Sequence, residues 1–406
     1  MELRDYQKEI SASAVALLHK YKIAYLSMQV RTGKTITALQ TAKDYGAKNI
    51  LFVTKLKAIS SIESDAALLF MQVDVINYEQ LHNVTKEYDL LILDEAHCLG
   101  QFPKPAFKVQ LLKEFCENKA IIFLSGTPTP ETYAQIYHQL YVSNYSPFAN
   151  YLNFYRWHKD YGIPKKKFVY NRELVDYSHV KQDDIINSIK HLMISYTQEE
   201  AGFQSFVEEK IIILPMPSKV KWSIEKIKKD KVIITKEGNE ILADTAVKEM
   251  NKIHQICSGT VKCEDGNAIV FDDSKAQYIK ENFKGKKIAI FYKYIAEGMQ
   301  LRFTFAGRIY DDAMAFNNAD NDAVFISQIQ SGREGINLSS ADALIMYNID
   351  YSAVSYWQSR ARMQTKDRDK ESIVYWLFTK GGIEEKIYNV VQSKKDFTLS
   401  HYKKSI

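Results

Sequence analysis

The chain is short of cysteine, of long apolar runs, of internal repeats and of any large excess of one charge. Each shortage removes a class of protein. Its four cysteines, Cys98, Cys116, Cys257 and Cys263, form no CxxC pair and no zinc spacing. They read as reduced thiols of a cytoplasmic protein, not as a disulfide framework or a metal site. No apolar stretch approaches the roughly 20 residues that span a bilayer, so no membrane partner is expected. The opening "MELRDYQKEI" is charged and lacks an apolar signal core, which argues against export. The 54 basic and 49 acidic residues leave a net charge of +5. That balance permits a nucleic-acid partner where cations cluster but does not demonstrate one.

What is present is ordinary for a globular chain, with 46% hydrophobic and 25% charged residues in 406. Such a length holds two or three domains with substantial cores. Residues 1–140 alternate helical patterns with buried strands: "KIAYLSM", "NILFVT", "VDVINY", "YDLLILDE" and "KAIIFLSGTP". Ile-, Leu- and Val-rich strands separated by helices imply a parallel sheet covered on both faces. From 141 to 272 the pattern is Tyr-rich and mostly helical, with two hairpins, "VIITKEGNEILA" and "TVKCEDGNAIVF", each turning at Gly-Asn. Strand–helix alternation returns over 273–406 in "KIAIFYKY", "RIYDD", "AVFISQI", "ADALIMYN" and "SIVYWLF". The expected fold is α/β: two parallel-sheet lobes, 1–140 and 273–406, joined by a mostly helical insertion at 141–272.

Three segments carry chemistry. In "SMQVRTGKTITALQTAKDYG" a strand runs into GKT and a helix. Gly33 lets the backbone curl so that N–H groups cradle phosphates, Lys34 reaches the β/γ-phosphates, and the Thr35 hydroxyl ligates Mg²⁺. The helix that follows, expected over Thr35 to about Tyr45 and stopped by Gly46, turns its positive end toward the same anion. The first glycine of the full GxxxxGK[ST] pattern is missing, and Met28 stands there. "LLILDEAHCLG" ends a buried strand in two carboxylates. In a nucleoside triphosphatase Asp94 holds Mg²⁺ and Glu95 polarises the attacking water. "FLSGTPTPE" closes a third strand; Ser125 and Thr127 either sense the γ-phosphate or bridge to Glu95, and His97 links the nucleotide to the second lobe. A helix cap, a solvated strand end and turn chemistry are the plain alternatives for these three segments.

Taken in this order the segments resemble superfamily-2 helicases, and within them the Swi/Snf-type ATPases with a DEAH motif II, especially small single-chain versions of phages and bacteria. The resemblance implies two RecA-like lobes with ATP between them and DNA across both. It also implies a nearly bare motor in a bacterial or phage-infected cell. "LRDYQKE" matches the glutamine motif, so Gln7 reads adenine; "QVRTGKT", with Arg31 and Thr32 as well as the GKT residues, matches motif I. "LDEAH" and "SGTP" match motifs II and III. The stretches around Thr54 and Lys55 and around Tyr78 ("INYEQL") match segments that touch nucleic-acid backbone. "QSGREGINLSSADALIMYN" resembles motif V, placing Gln330 and Ser331 toward nucleic acid and Gly335 and Asn337 toward nucleotide. "LMISYTQEEAGF", "EMNKIHQICSGTV" and "SKAQYIKENF" resemble the stretch between the lobes.

"YWQSRARMQTKDR" resembles motif VI, whose pattern QxxxRxxR directs both arginines at the nucleotide. On a helix at 100° per residue Gln358, Arg362 and Thr365 share a face while Arg360 points away. Gln358 and Arg362 fit the pattern. Thr365 replaces the second arginine, and Arg368, Arg360 or Lys366 are candidates to replace it. The implied activity is a DNA-stimulated ATPase that translocates on or remodels duplex or branched DNA, with ATP and Mg²⁺. A strand-separating DNA or RNA helicase and a nucleotide-gated DNA-binding module are the alternatives, and a loading, replication or repair protein partner stays open.

Overall fold

A computed structural model of the chain describes residues 3–169, 172–203, 207–332, 336–364 and 371–393. Gly335, Thr365, Lys366 and Arg368 therefore lie outside the described residues. The chain divides into two compact units, one ending at Gly202 and the other running from Phe203 to Ser393.

In the first unit the strands are β1 (Ile23–Met28), β2 (Ile50–Thr54), β3 (Asp74–Asn77), β4 (Leu90–Leu93) and β5 (Ala120–Leu124). A hairpin, β6 (Lys166–Val169) and β7 (Arg172–Val175), and then β8 (Met193–Tyr196) follow. Six strands form one parallel sheet in the order β3-β2-β4-β5-β1-β8. Strands β1, β2, β4 and β5 are buried at every position, because helices cover both faces and no alternation of polarity is needed. Helix α1 (Asp5–Tyr21) packs against α2 (Lys34–Tyr45) on one face. On the other, an aromatic cluster including Tyr133, Tyr137, Phe148, Phe154 and Trp157 joins the core. This is where the Tyr-rich stretch of the sequence goes.

The order of the strands matters most for the site. β5 inserts between β4 and β1, so the loops after β1, β5 and β4 lie side by side at the carboxyl ends of the sheet. Open parallel sheets bind ligands at that edge.

The second unit contains β9 (Val207–Leu214), hairpins β10 (Val232–Ile234) with β11 (Glu240–Leu242) and β12 (Thr260–Lys262) with β13 (Ala268–Val270), then β14 (Ile288–Tyr292), β15 (Ile309–Tyr310), β16 (Val324–Gln328), β17 (Ala343–Met346) and β18 (Ser372–Thr379). Its sheet is parallel in the order β15-β16-β14-β17-β18-β9. Both hairpins form where the sequence places them. Their turn glycines, Gly238 and Gly266, have φ of +85° and +91°, a region open to glycine without cost.

The stretch 141–272 is not one body. Strand β8 completes the first sheet beside β1, and β9 pairs with β18 over eight residues in the second. The helices Ser218–Asp230 and Ala246–Cys257 and the two hairpins share a small core of their own within the second unit. Short strands such as "MISY" and "VEEKIIIL" sit amid helical sequence, and only pairing partners far along the chain recruit them. Among the described residues, no helix is long and apolar enough to cross a membrane.

Candidate nucleotide site

The loop between β1 and α2 is held in an uncommon conformation. Gly33 caps α2 at φ +80°, ψ 35°, and Arg31 lies at φ +66°. The first value suits glycine; the second costs a non-glycine residue about 1 kcal/mol. Among the described residues no side chain caps the amino end of α2, so its leading N–H groups and dipole are open to an anion. Gly46 at φ +82° ends the helix, as its position predicts.

Gln7 is buried and its amide braces this loop. Its Oε1 accepts from the Arg4 N–H at 3.0 Å, and its Nε2 lies 3.5 Å from the Gly33 carbonyl. A Cβ at position 33 would meet Gln7 Nε2 at 2.3 Å, so any other residue there would displace the Gln7 amide. Thr32 is buried, and its hydroxyl donates to the Gln29 carbonyl at 2.7 Å.

Lys34 extends toward the loop after β5. A Cβ built on Gly126 would lie 3.4 Å from Lys34 Nζ and 3.2 Å from the Met28 carbonyl, so the SGTP loop rests on the phosphate loop. Beside it stand the two carboxylates. Asp94 accepts from the Thr54 hydroxyl at 2.8 Å, and its carbonyl accepts from the Tyr78 hydroxyl at 2.7 Å. Burial first, then the neighbouring charge of Glu95, push Asp94 up to about 6, against the pull of Lys34 and Thr54. For Glu95 burial also opposes ionisation, but Lys34, His97 and Lys55 outweigh it and hold its carboxyl below the ordinary range. Glu95 sits at φ +48°, ψ 45°. A left-handed glutamate at a strand end is a strained conformation of the kind found at functional sites.

His97 Nδ1 lies 3.2 Å from Glu95 Oε2 and 3.1 Å from Ser125 Oγ, which in turn accepts from the Thr127 N–H at 3.1 Å. Ser125 thus bridges to Glu95 through His97. The Thr127 hydroxyl is shielded from solvent and has no hydrogen-bond partner among the described residues, which leaves it for a ligand.

Two expected DNA contacts are corrected here. Thr54 is fully buried and Tyr78 nearly so. Both hydroxyls are spent on Asp94, and the Tyr78 ring is covered by Lys108 Nζ at 4.8 Å. They form the wall behind the carboxylate, not a surface for nucleic acid. Lys55 remains half-buried at the end of β2.

In the second unit, Gln330 is exposed and Ser331 half-buried on the short helix Ile329–Gly332. Asn337 is exposed; its side chain accepts from the Ser339 N–H at 3.1 Å, and its carbonyl accepts from Asn317 Nδ2 at 2.9 Å. The motif VI helix is shorter than its sequence suggests. It ends at Arg360, and a 3₁₀ turn, Ala361–Met363, follows. Gln358 and Arg362 still come together: Arg362 Nε donates to the Gln358 carbonyl at 3.0 Å, and Nη1 lies 3.5 Å from the Ile336 carbonyl.

Arg360, one of the candidates for the missing arginine, is engaged within its own unit. Its Nη2 lies 3.0 Å from Glu209 Oε1, with the two side chains 15% and 13% exposed, and its guanidinium covers the Trp357 and Tyr356 rings. Glu209, on β9, also accepts from Tyr356, Trp376 and Tyr388. Such an ion pair is structural. Arg360→Ala should lower unfolding stability by about 2–3 kcal/mol, read by urea melts, while turnover per folded molecule changes less than about twofold. Lost turnover with an unchanged melt would make Arg360 the finger after all.

No family model matches the chain. It is 20% identical to a chromodomain-helicase-DNA-binding protein 3 homolog of Caenorhabditis elegans over 95% of this chain and 21% of that protein. It is 32% identical over 97 residues to human chromodomain-helicase-DNA-binding protein 1, covering 23% of this chain and 6% of that one. With DNA excision repair protein CSB of Oryza sativa subsp. japonica it shares 36% identity over 74 residues, 18% of this chain and 6% of that one.

The chain is similar to helicase-like ATPases of the Swi/Snf type.

It spans only about a fifth or less of the length of these relatives. A solved structure, the Sulfolobus solfataricus SWI2/SNF2 ATPase core in complex with dsDNA, is similar at a TM-score of 0.43 and 16% identity, over 98% of this chain and 92% of that one. Several contacts around the site escape motif reading. Tyr6 stacks on Tyr196 with ring centroids 4.5 Å apart and donates to the Thr32 carbonyl. Gln198 bonds to the phosphate loop, and Glu209 gathers the motif VI helix. No local pattern marks them, because each acts on a partner far away in sequence.

Proposed function

We propose that the chain hydrolyses ATP and couples hydrolysis to movement along duplex or branched DNA. The observation that carries this is the convergence of Gly33, Lys34, Asp94, Glu95, His97, Ser125 and Thr127 at one sheet edge. Lys34 and the amino end of α2 bind the triphosphate. Thr127 donates its unpartnered hydroxyl to a γ-phosphate oxygen, and Gln7 holds Gly33 in place under the base. Glu95, kept ionised by Lys34 and His97, orients the attacking water and takes its proton. Burial and the neighbouring charge of Glu95 raise Asp94, a crowding of negative charge that a divalent cation would relieve; Asp94, with Thr35 in the first turn of α2, would hold it. Mg²⁺ bound there would neutralise charge on the β/γ-oxygens.

The DEAH reading of Asp94–His97 rests on the Glu95–His97–Ser125 contacts, which give each motif II side chain a distinct task. For DNA the remaining candidates are the half-buried Lys55 in the first unit and, in the second, the exposed Gln330 and half-buried Ser331, polar groups suited to backbone contacts. DNA affinity should therefore fall steeply with salt and depend little on sequence. Turnover should rise more with duplex or branched DNA than with single-stranded RNA, measured side by side with a triplex-displacement assay. Equal stimulation by RNA, with strand separation and no triplex displacement, would replace the translocase reading by a helicase one.

A further inference from the structure

The segment that leaves the first unit is fastened to the phosphate loop. Strand β8 lies beside β1 in register, Met28 opposite Tyr196. Past the end of both strands the pairing continues in a different form. The Gln29 N–H donates to the Tyr196 carbonyl at 2.9 Å. The Gln198 N–H donates to Gln29 Oε1 at 2.6 Å, and Gln198 Nε2 donates to the Val30 carbonyl at 3.0 Å. A tight turn supports Gln198: the Thr197 N–H and hydroxyl both donate to Glu200 Oε2 at 2.7 Å. Gly202 then ends the first unit, and β9 of the second begins at Val207.

The placement of these bonds is informative. They act on Gln29 and Val30, immediately before the two positive-φ residues Arg31 and Gly33. That is the part of the loop that must adjust around a triphosphate, since it carries the N–H groups that cradle it. A displaced Val30 carbonyl pulls on Gln198, and Gln198 sits on the stretch of chain that leads to the other lobe. Coupling through a contiguous hydrogen-bonded element of this kind has a stated physical route.

We infer that Gln198 is a positioning residue that ties the state of the phosphate loop to the crossover between the lobes. The inference rests on the ATPase reading and deepens it. Gln198 touches no reacting atom; its work is to make DNA-dependent and nucleotide-dependent changes felt at one another's positions. A purely structural tie would stabilise the loop equally in all states and leave the ratio of stimulated to basal turnover alone.

The test compares wild type, Gln198→Ala, Gln29→Ala and the double variant. ATPase rates are measured with and without duplex DNA, and melting temperatures check folding. Gln198→Ala should lower DNA-stimulated turnover roughly 5- to 100-fold and basal turnover by less than about twofold. The double variant should be no worse than the more affected single one, because both residues act through one link. Hydrogen exchange gives a readout independent of DNA: ATP should slow exchange at 197–202 in wild type but not in Gln198→Ala. Equal proportional losses with and without DNA would overturn the inference, as would an unchanged ratio. Wild type that binds ATP without protecting 197–202 would overturn it while leaving the ATPase reading intact. Wild type that binds no ATP would remove both.

Discussion

Glu95→Gln should bind ATP as the wild type does and lose about 10²–10⁴-fold in DNA-stimulated turnover. The amide matches the carboxylate in shape, so the contact with His97 Nδ1 at 3.2 Å and the left-handed backbone at φ +48° have no steric reason to change. What goes is the negative charge that Lys34, His97 and Lys55 stabilise, and with it the acceptor for the proton of the attacking water. Lys34→Ala should behave differently, losing nucleotide affinity itself, because its cation faces the bound phosphates in every state. Equilibrium binding of a fluorescent ATP analogue beside single-turnover hydrolysis separates the two variants. Wild-type turnover in Glu95→Gln would remove Glu95 from the reaction and leave it a strained structural residue.

Arg362→Ala should cut turnover by roughly 10²–10⁴-fold with little change in ATP affinity, the signature of a group that acts on the transition state. Gln358 and Arg362 occupy the nucleotide-facing positions of the motif VI pattern, and Arg362 is nearly buried yet keeps its guanidinium near backbone carbonyls of Gln358 and Ile336. With Arg360 committed to Glu209, Arg362 is the motif VI cation the pattern supports best among the described residues. Arg362→Lys is the informative companion. A lysine keeps the charge but loses the planar fork that engages carbonyls and phosphate oxygens together, so it should recover only part of the rate. If Arg362→Ala lowered stability and left turnover per folded molecule unchanged, its role would be to tie the motif VI turn to the segment after motif V.

Much of the first lobe's site is legible from short stretches. GKT after a strand, DE at a strand end and SGTP at another each announce a loop whose chemistry is local. The assignment of Thr54 and Tyr78 to DNA fails for a physical reason. A hydroxyl at the end of a strand reads the same whether it faces solvent or a carboxylate on another strand, and only the sheet order, β3 beside β2 and β2 beside β4, puts both on Asp94. Arg360 and Arg362 stand two residues apart in one basic run. Helical geometry separates their directions, but that Arg360's direction leads to Glu209 depends on β9 joining the sheet beside β18.

The sequence by itself determined the fold class, the two hairpins with their Gly-Asn turns, the left-handed glycine that opens α2 and the two adjacent carboxylates at the end of β4. These follow from periodicity and from residue types whose backbone or side-chain chemistry has few uses. Tertiary structure alone decided three things: that β5 lies between β1 and β4 and so brings the three motifs together, that 141–272 is shared by two units, and that Gln198 reaches the phosphate loop. Each is a contact between residues distant along the chain. Such contacts are selected by the burial of whole sheet faces and by the pairing of strand edges, quantities that no local stretch of sequence contains.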